Sequence, residues 1–380
     1  MNTGRILVMA CLFWTTVTAA FTAETLGRVE QLPSSYPDHW VIAHDAAFFH
    51  MLEGRMVVLD ADAETAAQQF KGMVNSSFIG QFAQSVSRSE MYVAETFYSR
   101  GVRGERTDVV TIYDKATLAP VAEVILPGGK RSSSMPEKYA LQLIDNERML
   151  LVFNLTPATS VTVVDVAARK VLNEIPTPGC VLIYPTGKRG FSSLCSNGRF
   201  FGVVLDEDGE VVEKYRSEPF FDSNVDPLFE KPVIVDGVGY FQTFTGVVYP
   251  VDLSSTRPVV GDAWSLVGEA DEGWRPGGWQ LNAVNGSNLY ILMHPEGYNG
   301  SHKDGGPEVW VFDLHSRQRR ARIKLKTWGV SVMVTPDQKP LMVVTNAEMA
   351  LDVYSATTGE YLRTLGPHAQ ETPFVVYQAN

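Results

Sequence analysis

One pattern recurs seven times along this chain of 380 residues, and it limits the fold more than any other feature. Each copy is an alternating apolar strand ending in Asp or Ser, a turn, and a returning strand. The copies are MVVLDADAE, VTIYDKATLAPVAEV, VTVVDVAARKVLNEI, FGVVLDEDGEVVEKY, VVYPVDLSSTRPVV, VWVFDLHSRQRRARI and LDVYSATTGEYLRTL. Their anchors, Asp60, Asp114, Asp165, Asp206, Asp252, Asp313 and Ser355, follow one another at intervals of 41 to 61 residues, about 49 on average. A carboxylate or hydroxyl at the end of the first strand accepts hydrogen bonds from the turn amides, so each copy reads as a hairpin. A period of about 49 residues holds four short strands with their turns, which is one propeller blade. Between the hairpins lie RMLLVFNL, KPVIVDGVGYFQTF, NLYILMHP and KPLMVVTN, candidates for the inner strands.

No long stretch carries the apolar spacing of a helix, and 31 glycines with 21 prolines suit strands and turns. A β-sandwich or two unrelated β domains would not repeat one hairpin so evenly. The expected fold is all-β, a seven-bladed β-propeller. Closing such a ring brings the chain ends together, and FVVYQ (Phe374 to Gln378) is expected to pair with HWVIAHD near the start.

The opening segment has one basic residue, Arg5, an apolar run from Ile6 to about Phe21, and small residues around Ala19 to Ala23. It reads as a secretory signal peptide over residues 1–23, leaving 24–380 as a single propeller domain with an N-terminal extension. The alternative, a membrane anchor, needs roughly 20 apolar residues, and the run falls short. Cys11 leaves with the signal, so the mature chain keeps Cys180 and Cys195. An even pair in an oxidising compartment points to one disulfide, with two buried free thiols as the alternative. A bridge across CVLIYPTGKRGFSSLC would add on the order of 3 kcal/mol by loop entropy.

Formal charge is −11, with a pI near 5.2, so the field of the chain repels phosphate backbones and nucleic acid is not an expected partner. The chain has no GxSxG, HExxH, Walker loop, GxGxxG or CxxC sequence. His294 and His302, in MHPEGYNGSHKDGG, could converge with Asp304 on a metal, but an ordinary polar loop is the expected outcome. RQRRARIKLK (Arg317 to Lys326) reads as a solvated hairpin edge, with a docking patch for an acidic partner as the alternative. Trp264, Trp274 and Trp279 are expected to pack between blades. The residues alone describe an exported propeller with no catalytic centre.

Several unusual segments carry a resemblance over nearly all of the mature chain. SRGVRGERTDVVTIYD (Ser99 to Asp114), PATSVTVVDV (Pro157 to Val166), the Cys180 and Cys195 pair, GWRPGGWQ (Gly273 to Gln280) and MHPEGYNGSHK (Met293 to Lys303) together resemble the heavy subunit of the quinoprotein amine dehydrogenases. MHPEGYNGSHK, EVWVFDLHSRQRRARI and FFHMLEGRMVVLDADA look closer to the aromatic (aralkyl) amine dehydrogenases than to the methylamine dehydrogenases. The resemblance implies a periplasmic heterotetramer of two heavy and two light subunits. It would oxidise a primary amine to an aldehyde and ammonia and pass electrons to an azurin- or amicyanin-like blue copper protein. It further implies that tryptophan tryptophylquinone and the catalytic base sit on the light chain, so this chain would hold no catalytic residue, cofactor or metal. In GMVNSSFIGQF, Phe78 stands where the family places an aromatic wall beside the substrate channel. Its alternative is blade packing. A methylamine dehydrogenase heavy chain, and a stand-alone exported ligand-binding propeller, are the competing readings of the whole.

Overall fold

All seven anchors close their turns as the repeat predicts. In the computed structural model, which describes residues 31–48, 51–78, 80–131, 135–369 and 371–380, each anchor oxygen accepts an amide from its own turn. Asp60 accepts from Asp62 at 3.1 Å, Asp114 from Thr117 at 2.8 Å and Asp165 from Ala168 at 2.7 Å. Asp206 accepts from Asp208 at 2.9 Å, Asp252 from Ser254 at 2.8 Å, Asp313 from Ser316 at 2.7 Å and Ser355 from Thr358 at 3.2 Å. The short acceptor holds the turn while the flanking apolar residues alternate across two blade faces.

The hairpins extend into antiparallel sheets, five of which are discrete blades. The first runs Pro373–Gln378, Trp40–Ala46, Glu53–Asp60, Phe70–Ser77, and the second Gln81–Gln84, Glu90–Arg100, Arg103–Asp114, Pro120–Leu126. The third is Leu141–Ile144, Met149–Asn154, Ser160–Asp165, Lys170–Pro176, and the fourth Cys180–Pro185, Gly190–Cys195, Phe200–Leu205, Val211–Arg216. The fifth is Val233–Val235, Val238–Gln242, Val247–Asp252, Val259–Val260, with Trp264–Ser265 also paired to its third strand.

The sheet count corrects the seven-bladed expectation. The hairpins anchored at Asp313 and Ser355 do not make separate blades but share one eight-stranded sheet. The cause is the strand Arg319–Val334, sixteen residues long and without a turn. Its first part pairs with Gly306–Asp313, as in Glu308 with Lys324, and its last part pairs with Leu341–Asn346, as in Val332 with Val344. The chain is therefore an all-β propeller of five discrete blades, not seven, with its remaining strands fused into one sheet.

Ring closure follows the expected pairing. Pro373–Gln378 lies antiparallel to Trp40–Ala46, with Ile42 opposite Tyr377 and Ala43 opposite Val376. Its other edge is held by side chains. The Gln280 amide accepts from Val376 N–H at 2.8 Å and donates to Val376 C=O at 3.0 Å, while Ser331 Oγ donates to Phe374 C=O at 2.6 Å. Thr345 Oγ1 donates to Pro373 C=O at 2.7 Å. The core lies between neighbouring sheets rather than inside one. Val41, Val57, Val343, Val353 and Val376 form one such layer, and Tyr92, Val110, Leu141, Val152 and Val164 another. Cys180 and Cys195 face each other in register on adjacent strands and form a disulfide, which closes the choice left open by the sequence.

The signal-peptide segment lies outside the described residues. Residues Leu32–Asn380 cluster as one compact unit. Among the described residues, no helix is long and apolar enough to cross a membrane.

Candidate functional site

In each discrete blade the innermost strand comes first in the path outward, so the connections from one blade's outer strand to the next blade's inner strand share one end with the links between second and third strands. At that end the connections enclose a cup of about 840 Å³. Its wall includes Phe48, Glu137, Lys231, Trp279, His302 and Phe374. Phe48, Glu137, Lys231, Trp279 and His302 come from five different connections and Phe374 from the start of the closing strand, all far apart in the sequence.

The geometry around Trp279 is the most ordered part of the cup. Gly278 has φ +119°, and a Cβ there would lie 2.6 Å from Val330 O, so only glycine lets the chain pass this close to the strand beside it. Trp279 N–H then donates to Val330 C=O at 2.6 Å, and the indole Nε1 donates to Pro136 C=O at 3.0 Å. The ring stacks on Phe374 with centroids 5.5 Å apart, and Lys231 Nζ sits 3.6 Å from the Trp279 ring centroid. Lys231 also pairs with Glu137 at 3.7 Å. Burial pushes the Glu137 carboxyl up to about 7, against the pull of Lys231 in the other direction. Burial likewise lowers His302, helped by Lys303 and Lys231.

Phe78 does not line the cup directly. It is half-buried on the turn between Phe70–Ser77 and Gln81–Gln84. Its ring lies 6.5 Å from Phe48, which lies 6.3 Å from Phe374. Trp279, Phe374, Phe48 and Phe78 thus form a row of rings leading from the cup to that turn. Of the tryptophans expected to pack between blades, Trp264 meets Phe312 at 5.5 Å and Trp274 meets Trp310 at 5.0 Å. Trp279 departs from that expectation because its connection enters the cup.

The other marked residues have ordinary surroundings. His294 is buried, shares a hydrogen bond with Ser301 Oγ at 2.8 Å, and is lowered in pKa chiefly by burial. Asp304 accepts from Tyr298 O–H at 3.1 Å, so the trio does not converge. Among the described residues no group of three or more His, Cys, Asp or Glu is placed to hold a metal. The basic run is an exposed edge, and three of its four arginines have acidic partners. Arg319 pairs with Asp271 at 2.6 Å, Arg322 with Glu308 at 2.6 Å, and Arg320 with Asp313. Arg319 and Arg322 also lie over the Trp310 ring, at 4.3 and 4.7 Å.

Exposed apolar side chains favour the same end. Among the described residues, Phe48, Met51, Leu52, Val102, Leu155, Val225 and Tyr298 lie on connections there and Trp328 on the long strand Arg319–Val334, whereas Val86 lies on a connection at the other end and most of the rest are on outer strands. Exposed apolar side chains gathered around a cup lined by aromatic rings and a few charged groups are the composition of an interaction face. Phe48, Lys231 and Glu137 escaped the sequence reading because each is a lone residue in a connection, and Phe374 was marked only as part of the closing strand, with no motif to point its ring at a cup.

Fold and face together define a β-propeller with a cup and a set of exposed apolar side chains at one end. The β-propeller domain of Cps50 (Swd1) from Myceliophteria thermophila superposes with a TM-score of 0.55 at 9% identity, over 87% of this chain and all of that one, a likeness of fold alone. Residues 38–378 match the family described as methylamine dehydrogenase heavy chain. The chain belongs to that family. The methylamine dehydrogenase heavy chain of Methylorubrum extorquens is 30% identical over 305 residues, covering 79% of this chain and 73% of the relative. That of Paracoccus versutus is 27% identical over 332 residues, covering 86% and 76%. The amine dehydrogenase resemblance therefore holds at family level, and nothing in these matches singles out the aralkylamine branch.

Proposed function

We propose that this chain is the heavy, non-catalytic subunit of a periplasmic amine dehydrogenase of the methylamine dehydrogenase type. The observation that carries the reading is membership of the heavy-chain family across the whole propeller, residues 38–378. The apolar rim supports it, because a subunit that works only in an assembly must offer a face to its partner. In this reading a small light chain docks on the cup end, a second heavy chain completes a tetramer, and a blue copper protein takes the electrons.

Among the described residues, Trp274, Trp310 and Trp279 do not fit a crosslinked quinone pair facing a substrate. Trp274 and Trp310 meet, but Trp310 is wholly buried and both are covered by Arg322; Trp279 faces the cup with Phe374 as its ring neighbour. In this reading tryptophan tryptophylquinone belongs to the light chain, where it would supply the two-electron oxidation of the amine. The residues here bind and exclude. The row Trp279, Phe374, Phe48 and Phe78 would line the approach to the light chain, shed water, and present an apolar wall to the carbon end of the amine. Glu137, held beside Lys231, would give that approach a carboxyl able to meet an ammonium group.

The relatives favour a small alkylamine such as methylamine. The four-ring row favours a second reading in which an aryl amine is taken. Recovery of the tagged chain from the periplasm of its host tests both. A co-purifying small disulfide-rich chain whose visible band bleaches on adding methylamine supports the first, and preferential bleaching by tyramine supports the second. A chain that emerges alone and colourless overturns the proposal and leaves a stand-alone ligand-binding propeller.

A further inference from the structure

The turn that carries Phe78 is tied to the neighbouring blade by a buried carboxylate. Ser77, next to Phe78, donates its backbone N–H to Glu95 Oε1 at 2.8 Å. Thr111 donates its hydroxyl to Glu95 Oε2, and Ser77 Oγ in turn accepts from Thr96 N–H at 3.0 Å. Tyr113 adds a bond from its hydroxyl to Asn75 C=O at 3.0 Å. Glu95 is 3% exposed and stands on the second strand of the second blade, while Ser77 ends the outer strand of the first. A carboxylate at an interior seam is a costly choice unless it bonds something that must be held, and here it holds the residue that precedes the aromatic turn.

We infer that Glu95 is the positioning residue for Phe78, fixing where its ring meets Phe48 and so setting the discrimination between alkyl and aryl amines. The selectivity part rests on the role proposed above for Phe78. The bond itself does not. Glu95 touches no substrate in this account and acts only through the Ser77 amide. Removing it or shortening it by one methylene frees that amide and lets the Phe78 turn drift relative to the row of rings.

Two measurements on the full chain and its assembled complex separate the links. In amide hydrogen exchange, Ser77 is expected to exchange at least tenfold faster in Glu95→Asp than in the parent, with exchange in the fourth blade unchanged. Unchanged exchange at Ser77 overturns the positioning role outright. In the complex, the ratio of kcat/KM for benzylamine to that for methylamine is then compared in Phe78→Ala, Glu95→Asp and the double variant. The expected result is a shift of threefold or more in the same direction for both single variants, with the double variant no further shifted than Phe78→Ala. An equal loss on both amines, or additive shifts, marks Glu95 as structural support only and overturns the inference. If Ser77 exchange quickens but Phe78→Ala leaves the ratio alone, it is the channel role of Phe78 that fails, and the selectivity claim falls with it. Glu95→Gln gives a control for folding: its amide oxygen can still accept from Ser77, so exchange and ratio should return toward the parent.

Discussion

Ring closure depends on one side chain to an extent that can be worked out. Gln280 satisfies both the N–H and the C=O of Val376 on the inner edge of the closing strand, at 2.8 and 3.0 Å. Gln280→Met keeps most of the volume and removes both bonds, leaving two buried backbone groups without partners. Each such loss costs roughly 1–3 kcal/mol, so the pair amounts to about 2–4 kcal/mol once some water from the adjoining cavity near Gln280 and Val376 takes up part of it. With an unfolding entropy of about 2.1 cal/mol/K per residue over this unit, that corresponds to a melting point lower by about 3–6 °C. Scanning calorimetry gives the shift, and hydrogen exchange at Val376 localises it. The reasoning fails if Gln280→Met melts within a degree of the parent and the Val376 amide exchanges no faster. Gln280→Ala should lose more than Gln280→Met only by the packing of the missing methylenes.

Other expectations follow from single groups. Replacing Cys180 and Cys195 by alanine opens a loop of 15 residues and should lower stability by about 3 kcal/mol, read as a reduced denaturant midpoint with an unchanged fold by circular dichroism. Glu147 is pushed up by burial, but the Ser87 and Ser85 hydroxyls and the Val86 and Ser87 amides outweigh it and hold its pKa near 2. Its folded pKa lies below the usual carboxylate range, so its contribution is present above about pH 4.5 and is lost as pH falls toward 2. Glu147→Gln should therefore flatten the acid limb of the stability curve across that window and leave the curve near neutrality parallel to the parent's. Burial sets Glu95 the other way, near pH 7, so Glu95→Gln should remove a loss of stability seen in the parent as pH rises from about 4.5 through 7.

The hairpins were legible because their chemistry is local: an anchor oxygen and the amide it accepts lie within four residues, as in Asp165 with Ala168 or Asp252 with Ser254. Closure was legible because a β-rich segment at each end had to find a partner, and Phe374–Gln378 faces Trp40–Ala46. The number of separate sheets was not. Whether RRARIKLKTWGVSVMV breaks into two strands or runs through depends on what pairs with its two ends, and the sequence has no local mark for that. The cup was invisible for the same reason in sharper form. Lys231 meets Trp279 and Glu137 only because three blade connections converge, and a motif cannot encode a convergence of single residues. Segments such as MHPEGYNGSHK do not decide the branch of the family: Glu296 to Gly300 form a largely exposed loop, while His302 and Lys303 reach the cup wall.

The unbroken strand Arg319–Val334 gives the ring unequal seams. Five sheets can each loosen by parting from two neighbours, but the stretch from Asn288–His294 to Leu351–Ser355 is bound by one continuous ladder. Opening within it breaks main-chain bonds on both sides of a single backbone, so these strands should behave as one cooperative foldon. Partial unfolding of the native ring would then start at a boundary between discrete blades, and this double-width sheet would be the last segment to surrender its slow amides.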